Sequence, residues 1–141
     1  MAPDRPGQAR CLHALQPLAC QPTCLRSQVR PAQLFAEGAY NERLEVISDV
    51  PKGNVVWWFD RTDMKRAKET VGKVACLAGN VPLDLLCAGT PEEVRAYCRT
   101  LIDVAGRDGG FILSSGAGLQ GSKPENVKAM IDFSKQYGMY H

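Results

Sequence analysis

Residues 109–119 read Gly-Gly-Phe-Ile-Leu-Ser-Ser-Gly-Ala-Gly-Leu, the most informative stretch of the sequence for its fold. Its apolar run, 111–113, passes directly into two serines and then into a turn that contains two glycines. Such a run is typical of a strand buried on both faces of a parallel sheet, which delivers its backbone to a site at its carboxyl end. Ala117 lies at the tip of the turn, where a side chain would face a ligand.

Two upstream segments repeat this design. Residues 54–60 read Asn-Val-Val-Trp-Trp-Phe-Asp, and residues 74–78 read Val-Ala-Cys-Leu-Ala. Neither run alternates apolar with polar residues, so both predict strands that are buried on two faces. The consecutive tryptophans of the first run should point to opposite faces of the sheet and pack in the interior. No strand is predicted before Asn54, where the sequence indicates only a short helix over 41–49.

A helix is predicted after each of these three strands, and each helix ends at a glycine. Asp60 can cap the first helix. The second begins at a capping box, Thr90-Pro91-Glu92-Glu93, and continues with apolar residues at helical spacing. A second capping box, Ser122-Lys123-Pro124-Glu125, begins the third helix. The predicted order is β-α-β-α-β-α, with right-handed crossovers.

The composition indicates a globular protein, since 45% of its 141 residues are hydrophobic and 23% are charged. No segment approaches the roughly 18 consecutive apolar residues that suggest a membrane span. Residues 1–31 carry four arginines and one aspartate, so the rest of the chain is near neutral and nucleic-acid binding is not expected. The same residues contain five prolines and no helical or strand period, which predicts a disordered or adventitious leader; an organelle transit peptide is the alternative.

The cysteines lie at positions 11, 20, 24, 76, 87 and 98. No secretory apolar region precedes them, and the last three fall within or beside predicted elements, so we expect reduced thiols and a cytoplasmic protein. Cys11-x-His13 and Cys20-x3-Cys24 could together supply four zinc ligands. Their spacing fits no usual zinc finger or ribbon, and no metal site is predicted.

Four motifs carry a family resemblance: Ala-Gly-Asn-Val-Pro at 78–82, Gly-Thr-Pro-Glu-Glu-Val at 89–94, Gly-Gly-Phe-Ile-Leu at 109–113 and Lys-Pro-Glu-Asn-Val-Lys-Ala-Met at 123–130. In this order and spacing, the chain resembles the C-terminal part of the uroporphyrinogen decarboxylase superfamily. That superfamily also contains cobalamin-dependent methyltransferases acting on methyl-corrinoid proteins. The resemblance implies an α/β fold, a partial (β/α)8 TIM barrel made of three C-terminal βα units with parallel strands. Residues 32–141 would then form the C-terminal portion of the barrel.

The resemblance also shows which family features are missing. Decarboxylases of this superfamily bind a porphyrinogen without metal or organic cofactor, through an aspartate and basic residues of an N-terminal half that has no counterpart here. They carry a histidine in an Asn-Leu-Gly-His-Gly turn, where residues 114–118 read Ser-Ser-Gly-Ala-Gly. The methyltransferase branch binds zinc through a His-x-Cys motif and a cysteine in this turn, to hold a thiol substrate as its thiolate. Ala117 can be neither a proton donor nor a zinc ligand, and no His-x-Cys motif is present.

Residues at the predicted mouth of the barrel are the candidates for substrate binding. Asn80 either contacts substrate or ties down a Gly-Asn turn, and Asp60 is either a helix cap or a catalytic acid. The serines and glycines of the last turn either bind a carboxylate or phosphate or only shape the turn, and no nearby histidine would activate a serine. The candidates are Glu37, Tyr40, Asp60, Asn80, Ser114, Ser115, Gly116 and Gly118.

The sequence therefore predicts a uroporphyrinogen-decarboxylase-like domain for tetrapyrrole or corrinoid-related chemistry, as a fragment that is not active alone. One alternative is a corrinoid-linked methyltransferase or demethylase, completed by an N-terminal half or a partner, with the corrinoid as cofactor. The other is a non-enzymatic truncated or assembly module. No other cofactor is evident. The expected partners are a tetrapyrrole or corrinoid-bound small molecule and either the missing barrel half or a second copy of the chain.

Overall fold

The computed structural model describes residues 30–139, which form a single sheet of four parallel strands. In spatial and sequence order the strands are β1 (Ala32–Ala36), β2 (Val55–Phe59), β3 (Cys76–Val81) and β4 (Phe111–Ser115). Helical segments connect the strands, as a parallel sheet requires. The α/β class and the three strands predicted from the sequence are confirmed.

β1 is an additional strand, and the prediction that no strand precedes Asn54 is wrong. It pairs with β2 along its whole length, from Ala32 opposite Val55 to Ala36 opposite Phe59. Only Ala36 of this strand is buried. Because β1 lies at the edge of the sheet, its sequence lacks the continuous apolar run by which the other three strands are found.

β3 lies further along the chain than predicted, at Cys76–Val81 in place of 74–78. Gly79 and Asn80 therefore belong to the strand and not to a turn. The reason is the ladder with β4, in which Asn80 lies opposite Ser114. The peptide bond between Gly79 and Asn80 is cis.

Five α-helices accompany the strands in the described part of the chain. They are α1 (Leu44–Ile47), α2 (Met64–Thr70), α3 (Leu83–Ala88), α4 (Pro91–Leu101) and α5 (Pro124–Tyr137). A 3₁₀ turn, Val71–Lys73, follows α2, and a π-helical turn, Ile102–Gly106, follows α4. None of the described helices combines the length and the apolar character needed to cross a membrane.

The capping box that begins α4 is confirmed. The backbone N–H of Glu93 donates to Thr90 Oγ1 at 3.3 Å, and the backbone N–H of Thr90 donates to Glu93 Oε2 at 2.8 Å. Both partners lie within one turn, so local sequence is sufficient to specify them.

Two other predicted caps are wrong. Asp63 caps α2 in place of Asp60, since its side chain accepts from the backbone N–H groups of Lys65 and Arg66. α5 begins after Lys123 without any side-chain cap, so the box predicted at Ser122 does not form. The proline in the first turn of α5 still starts the helix, because its fixed φ favours that position.

The two faces of the sheet have different surroundings. Buried side chains of all five helices form one core with strand residues of a single face, namely Val55, Phe59, Leu77, Val81 and Phe111. We call the opposite face the lumen face, because helices surround the outside of a (β/α)8 barrel; it carries Phe35, Trp58, Ala78, Asn80 and Ile112. None of these five residues belongs to the core shared with the helices.

The consecutive tryptophans point to opposite faces, as predicted. Trp57 packs against the core on the helix face. Trp58 lies on the lumen face, where its ring centroid is 4.7 Å from that of Phe35. The sheet therefore presents aromatic surface on the side that the described helices leave open.

Candidate functional site

The candidate site lies where β2, β3 and β4 end. The turn after β4 folds over the end of β3, since the backbone N–H of Gly116 donates to the carbonyl of Val81 at 2.8 Å. The same turn reaches the end of β2, because a Cβ built on Gly116 would lie 2.7 Å from the carbonyl oxygen of Asp60. Carboxyl ends of parallel strands are where α/β folds place their ligands.

Asn80 is the most deeply buried of the candidate side chains at this end, with 4% of its surface exposed. Its Nδ2 donates to the backbone carbonyl of Thr62 at 2.7 Å. Its Oδ1 has no hydrogen-bond partner among the described residues. The amide group thus fixes the connection between β2 and α2, while its oxygen lies buried without a described partner.

Asp60 and Thr62 attach the segment after β1 to the end of β2. Asp60 Oδ2 accepts from the backbone N–H of Gly38 at 3.1 Å, and Thr62 Oγ1 accepts from the backbone N–H of Tyr40 at 3.0 Å. Both bonds join residues 22 positions apart, so they bring the Glu37 segment to the carboxyl end of the sheet. Glu37 itself is exposed.

Ser114 and Ser115 are engaged within their own turn. Ser114 Oγ donates to the carbonyl of Ser115 at 3.2 Å, and Ser115 Oγ donates to the carbonyl of Ala117 at 2.6 Å. Neither hydroxyl has a histidine near it, because residues 30–139 contain none. The serines therefore shape the turn, and no histidine within 30–139 could activate them as nucleophiles.

An aromatic pair on the lumen face borders this site and was not among the residues predicted from the sequence. Trp58 Nε1 donates to the carbonyl of Ser115 at 2.7 Å, which holds the indole beneath the last turn. The ring of Phe35 contacts that indole and is 44% exposed. The signal available in the sequence is the apolar pair Leu34-Phe35, which becomes informative once β1 is recognised as a strand.

The residues described do not form a zinc site of the methyltransferase type. Within 30–139, no group of three or more His, Cys, Asp or Glu side chains could hold a metal ion, and Ala117 offers no ligand atom. The motif Cys11-x-His13 with Cys20-x3-Cys24 lies outside the described residues. Burial raises the pKa of the Cys98 thiol to about 11, which fits its place in the core of α4.

The family model described as uroporphyrinogen decarboxylase (URO-D) matches residues 13–137 of this chain. The chain belongs to the uroporphyrinogen decarboxylase family. This confirms the resemblance drawn from the four sequence motifs. The division of the chain into a leader, 1–31, and a barrel portion, 32–141, stays a prediction.

A similar sequence and a similar structure show how much of a longer protein this chain matches. A uroporphyrinogen decarboxylase from Azoarcus sp. (strain BH72) is 37% identical over 71 residues, which cover 50% of this chain and 20% of that protein. The structure of a methyltransferase from Methanosarcina mazei matches with a TM-score of 0.62 at 23% identity, over 77% of this chain and 32% of that one. The second likeness establishes the fold. The chain thus spans about a fifth to a third of the length of these two relatives.

Proposed function

We propose that this uroporphyrinogen decarboxylase family chain forms one wall of a binding site for a tetrapyrrole or corrinoid-type ring. The observation that carries the proposal is the unpartnered Oδ1 of Asn80, buried at the carboxyl end of β3. Leaving a buried acceptor without a partner costs about 1–3 kcal/mol. A ligand that donates an N–H group to this oxygen recovers that energy, and pyrrole N–H groups are such donors.

The aromatic pair beside Asn80 supplies the apolar part of the same recognition. Phe35 and Trp58 lie on the lumen face with ring centroids 4.7 Å apart. Flat, largely apolar rings pack favourably against aromatic side chains. A ring with N–H donors and an apolar surface is therefore the ligand class that this wall suits best, and reduced tetrapyrroles have both properties.

The chain by itself is not expected to decarboxylate such a ring. Ala117 has no proton to give, and the hydroxyl groups of Ser114 and Ser115 are directed at carbonyls of their own turn. A general acid must lie within hydrogen-bond reach of the group that it protonates. Catalysis would require residues from the remainder of a barrel, so the chain is proposed as a binding portion of a larger site.

Two other functions are the alternatives. A corrinoid-linked methyltransferase or demethylase would need zinc ligands that the described residues do not offer. A non-enzymatic assembly module would need no such ligands. A cytoplasmic location stays a prediction, supported by the free thiols of Cys87 and Cys98.

The binding proposal is tested by anaerobic isothermal titration of uroporphyrinogen into the full chain and into Asn80→Ala. We expect the substitution to weaken binding about tenfold, since a net hydrogen bond contributes roughly 0.5–1.5 kcal/mol. Asn126→Ala is the matched control. Asn126 is also a fully buried asparagine with an unpartnered Oδ1, but it lies in α5 and donates to the carbonyls of Leu86 and Gly89.

Both asparagine variants should lose stability in urea, while only Asn80→Ala should lose affinity. Equal affinities for the wild type and Asn80→Ala, or no binding by the wild type, would contradict the proposal. In a parallel assay we expect no conversion of uroporphyrinogen to coproporphyrinogen by the chain. Measurable product would overturn the inference drawn from Ala117.

A further inference from the structure

The two outer strands of the sheet each have a free edge among the described residues. β1 pairs only with β2, and β4 pairs only with β3. Neither strand contains a charged residue, since they read Ala-Gln-Leu-Phe-Ala and Phe-Ile-Leu-Ser-Ser. Sheet edges that face water are usually protected by charges, prolines or bulges. The absence of charge from both strands is expected if each edge is paired in the assembled protein.

A cavity lies on the helix face next to the free edge of β4. It has a volume of about 340 Å³ and is situated between the start of β4, the end of α5 and the π-helical turn. Apolar side chains provide much of its lining, among them Ile102, Phe111, Leu113 and Met139. Met139 is 65% exposed in the isolated chain. The cavity therefore offers apolar surface to a side chain from a strand added beside β4.

β1 carries two exposed apolar side chains that could pack against the apolar surface beside β4. Leu34 lies opposite Trp57 and therefore on the helix face, whereas Phe35 lies opposite Trp58 on the lumen face. The two side chains are 40% and 44% exposed, respectively. A copy of β1 laid parallel against β4 would direct Leu34 toward the cavity and Phe35 toward the lumen face, where Ile112 lies.

We propose that two copies of this chain associate through these edges, with β4 of each copy paired in parallel to β1 of the other. A two-fold axis along the strands creates both contacts at once and closes a ring of eight parallel strands, the number in a (β/α)8 barrel. Two copies of the 110 described residues contribute about 220 residues, and barrels of this class span roughly 200 to over 400.

The closed dimer would place both copies of Asn80 at the same end of the ring, because all eight strands run in one direction. This inference goes beyond the proposed ligand. The dimer proposal depends on the strands at the edges of the sheet and not on any ligand. A monomeric chain would therefore contradict the dimer proposal without contradicting the ligand proposal. A separate chain that supplies an N-terminal half of a barrel is the competing occupant of the same edges.

The test is the mass of the full chain in solution, by size-exclusion chromatography with multi-angle light scattering from 1 to 100 µM. The chain has a mass of 15.4 kDa, so we expect a dimer of about 31 kDa. Leu34→Lys should raise the dissociation constant of the dimer at least about 100-fold, because it would bury an unpaired charge at both contacts. Val46→Lys is the matched control, since Val46 is 76% exposed and lies on α1, outside both edge strands.

A mixing experiment tests the closed arrangement itself. Ile112→Lys impairs the β4 edge and leaves β1 intact, whereas Leu34→Lys does the reverse. In a dimer of either variant, both β4–β1 contacts contain one substituted strand. In a mixed dimer, the unsubstituted β4 of one variant pairs with the unsubstituted β1 of the other, so one contact is fully intact. We expect each variant to be a monomer by itself and the two variants to form a dimer when they are mixed. Circular dichroism of each separate variant is the control that it is folded.

Several outcomes would overturn the proposal. A monomeric wild type at 100 µM would do so, as would a dimer unaffected by Leu34→Lys. Large, polydisperse oligomers would show that the edges pair without closing a ring. A wild type that stays monomeric but forms a one-to-one complex with a separately expressed N-terminal half of a family barrel would assign the edges to that half.

Discussion

Replacing Gly116 by alanine tests the contact that joins the ends of β4 and β2. An ideal Cβ at this position would lie 2.7 Å from the carbonyl oxygen of Asp60 and 3.3 Å from its Cα. Both are backbone atoms, so no side chain can rotate away to relieve the contact. The turn after β4 or the end of β2 must therefore move by about half an ångström to restore a normal van der Waals distance.

The expected loss of stability follows from two opposing terms. Overpacking that shifts the backbone costs typically about 1–3 kcal/mol. Alanine in place of glycine recovers about 0.4–1 kcal/mol by restricting the unfolded chain. We expect Gly116→Ala to lower the free energy of unfolding by about 1–2 kcal/mol, which corresponds to a Tm lower by about 5–15 °C for a domain of this size.

Gly118→Ala provides the control within the same turn. Its Cβ would approach the side-chain amide of Gln120 even more closely than the Gly116 Cβ approaches Asp60. Gln120 is exposed, however, and its side chain can swing into solvent. Gly118→Ala should therefore be neutral or slightly stabilising, although its initial contact is the shorter one.

The assay is urea denaturation of both variants, followed by tryptophan fluorescence and circular dichroism at one protein concentration. The reasoning is refuted if Gly118→Ala loses as much stability as Gly116→Ala, or if Gly116→Ala is neutral. An equal loss in Gly118→Ala would mean that the Gln120 side chain cannot move aside, whereas a neutral Gly116→Ala would mean that the turn is free to move away from β2. In that case the turn would not hold a fixed position at the candidate site.

Two further predictions concern α4. Thr90→Ala removes the two hydrogen bonds of the Thr90 hydroxyl, from the backbone N–H of Glu93 and to its carboxylate, and should lower the free energy of unfolding by about 1 kcal/mol. Thr100→Ala, at an exposed position near the end of α4, should be nearly neutral in the same urea assay. Burial raises the pKa of Cys98 from 9.0 to about 11, so the folded chain keeps a proton that the unfolded chain loses. The stability contributed by the neutral thiol is complete below pH 9 and should be lost as the pH rises toward 11. Cys98→Ala should reduce that loss, and an unchanged pH profile would contradict the assignment.

Sequence reasoning succeeded where the partners of an interaction are close in the chain. The capping box of α4 joins Thr90 and Glu93, three residues apart, and was predicted correctly. The cap of α2 was assigned to the wrong aspartate, because both Asp60 and Asp63 precede the helix. The partner that engages Asp60 is the backbone N–H of Gly38, 22 residues away. No local sequence pattern indicates a hydrogen bond between residues so far apart in the chain.

β1 shows the same limit for strands. A continuous apolar run predicts a strand, and the strands predicted at 54–60 and 109–113 follow from such runs. β1 is exposed along four of its five residues, so it carries no such run. Its existence depends on hydrogen bonds to β2, which the sequence of 32–36 alone does not specify.

Local patterns of residue type in the sequence are sufficient to specify the α/β class and three of the four parallel strands. Tertiary structure is needed to show that Asn80 lies within a strand and that Trp58 and Phe35 form an aromatic surface beside it. The same holds for the unpartnered Asn80 oxygen and the two open sheet edges, both found within residues 30–139. These features arise from contacts between segments far apart in the chain. The bond from Trp58 to the carbonyl of Ser115 spans 57 residues, and only the register of the sheet brings those two residues together.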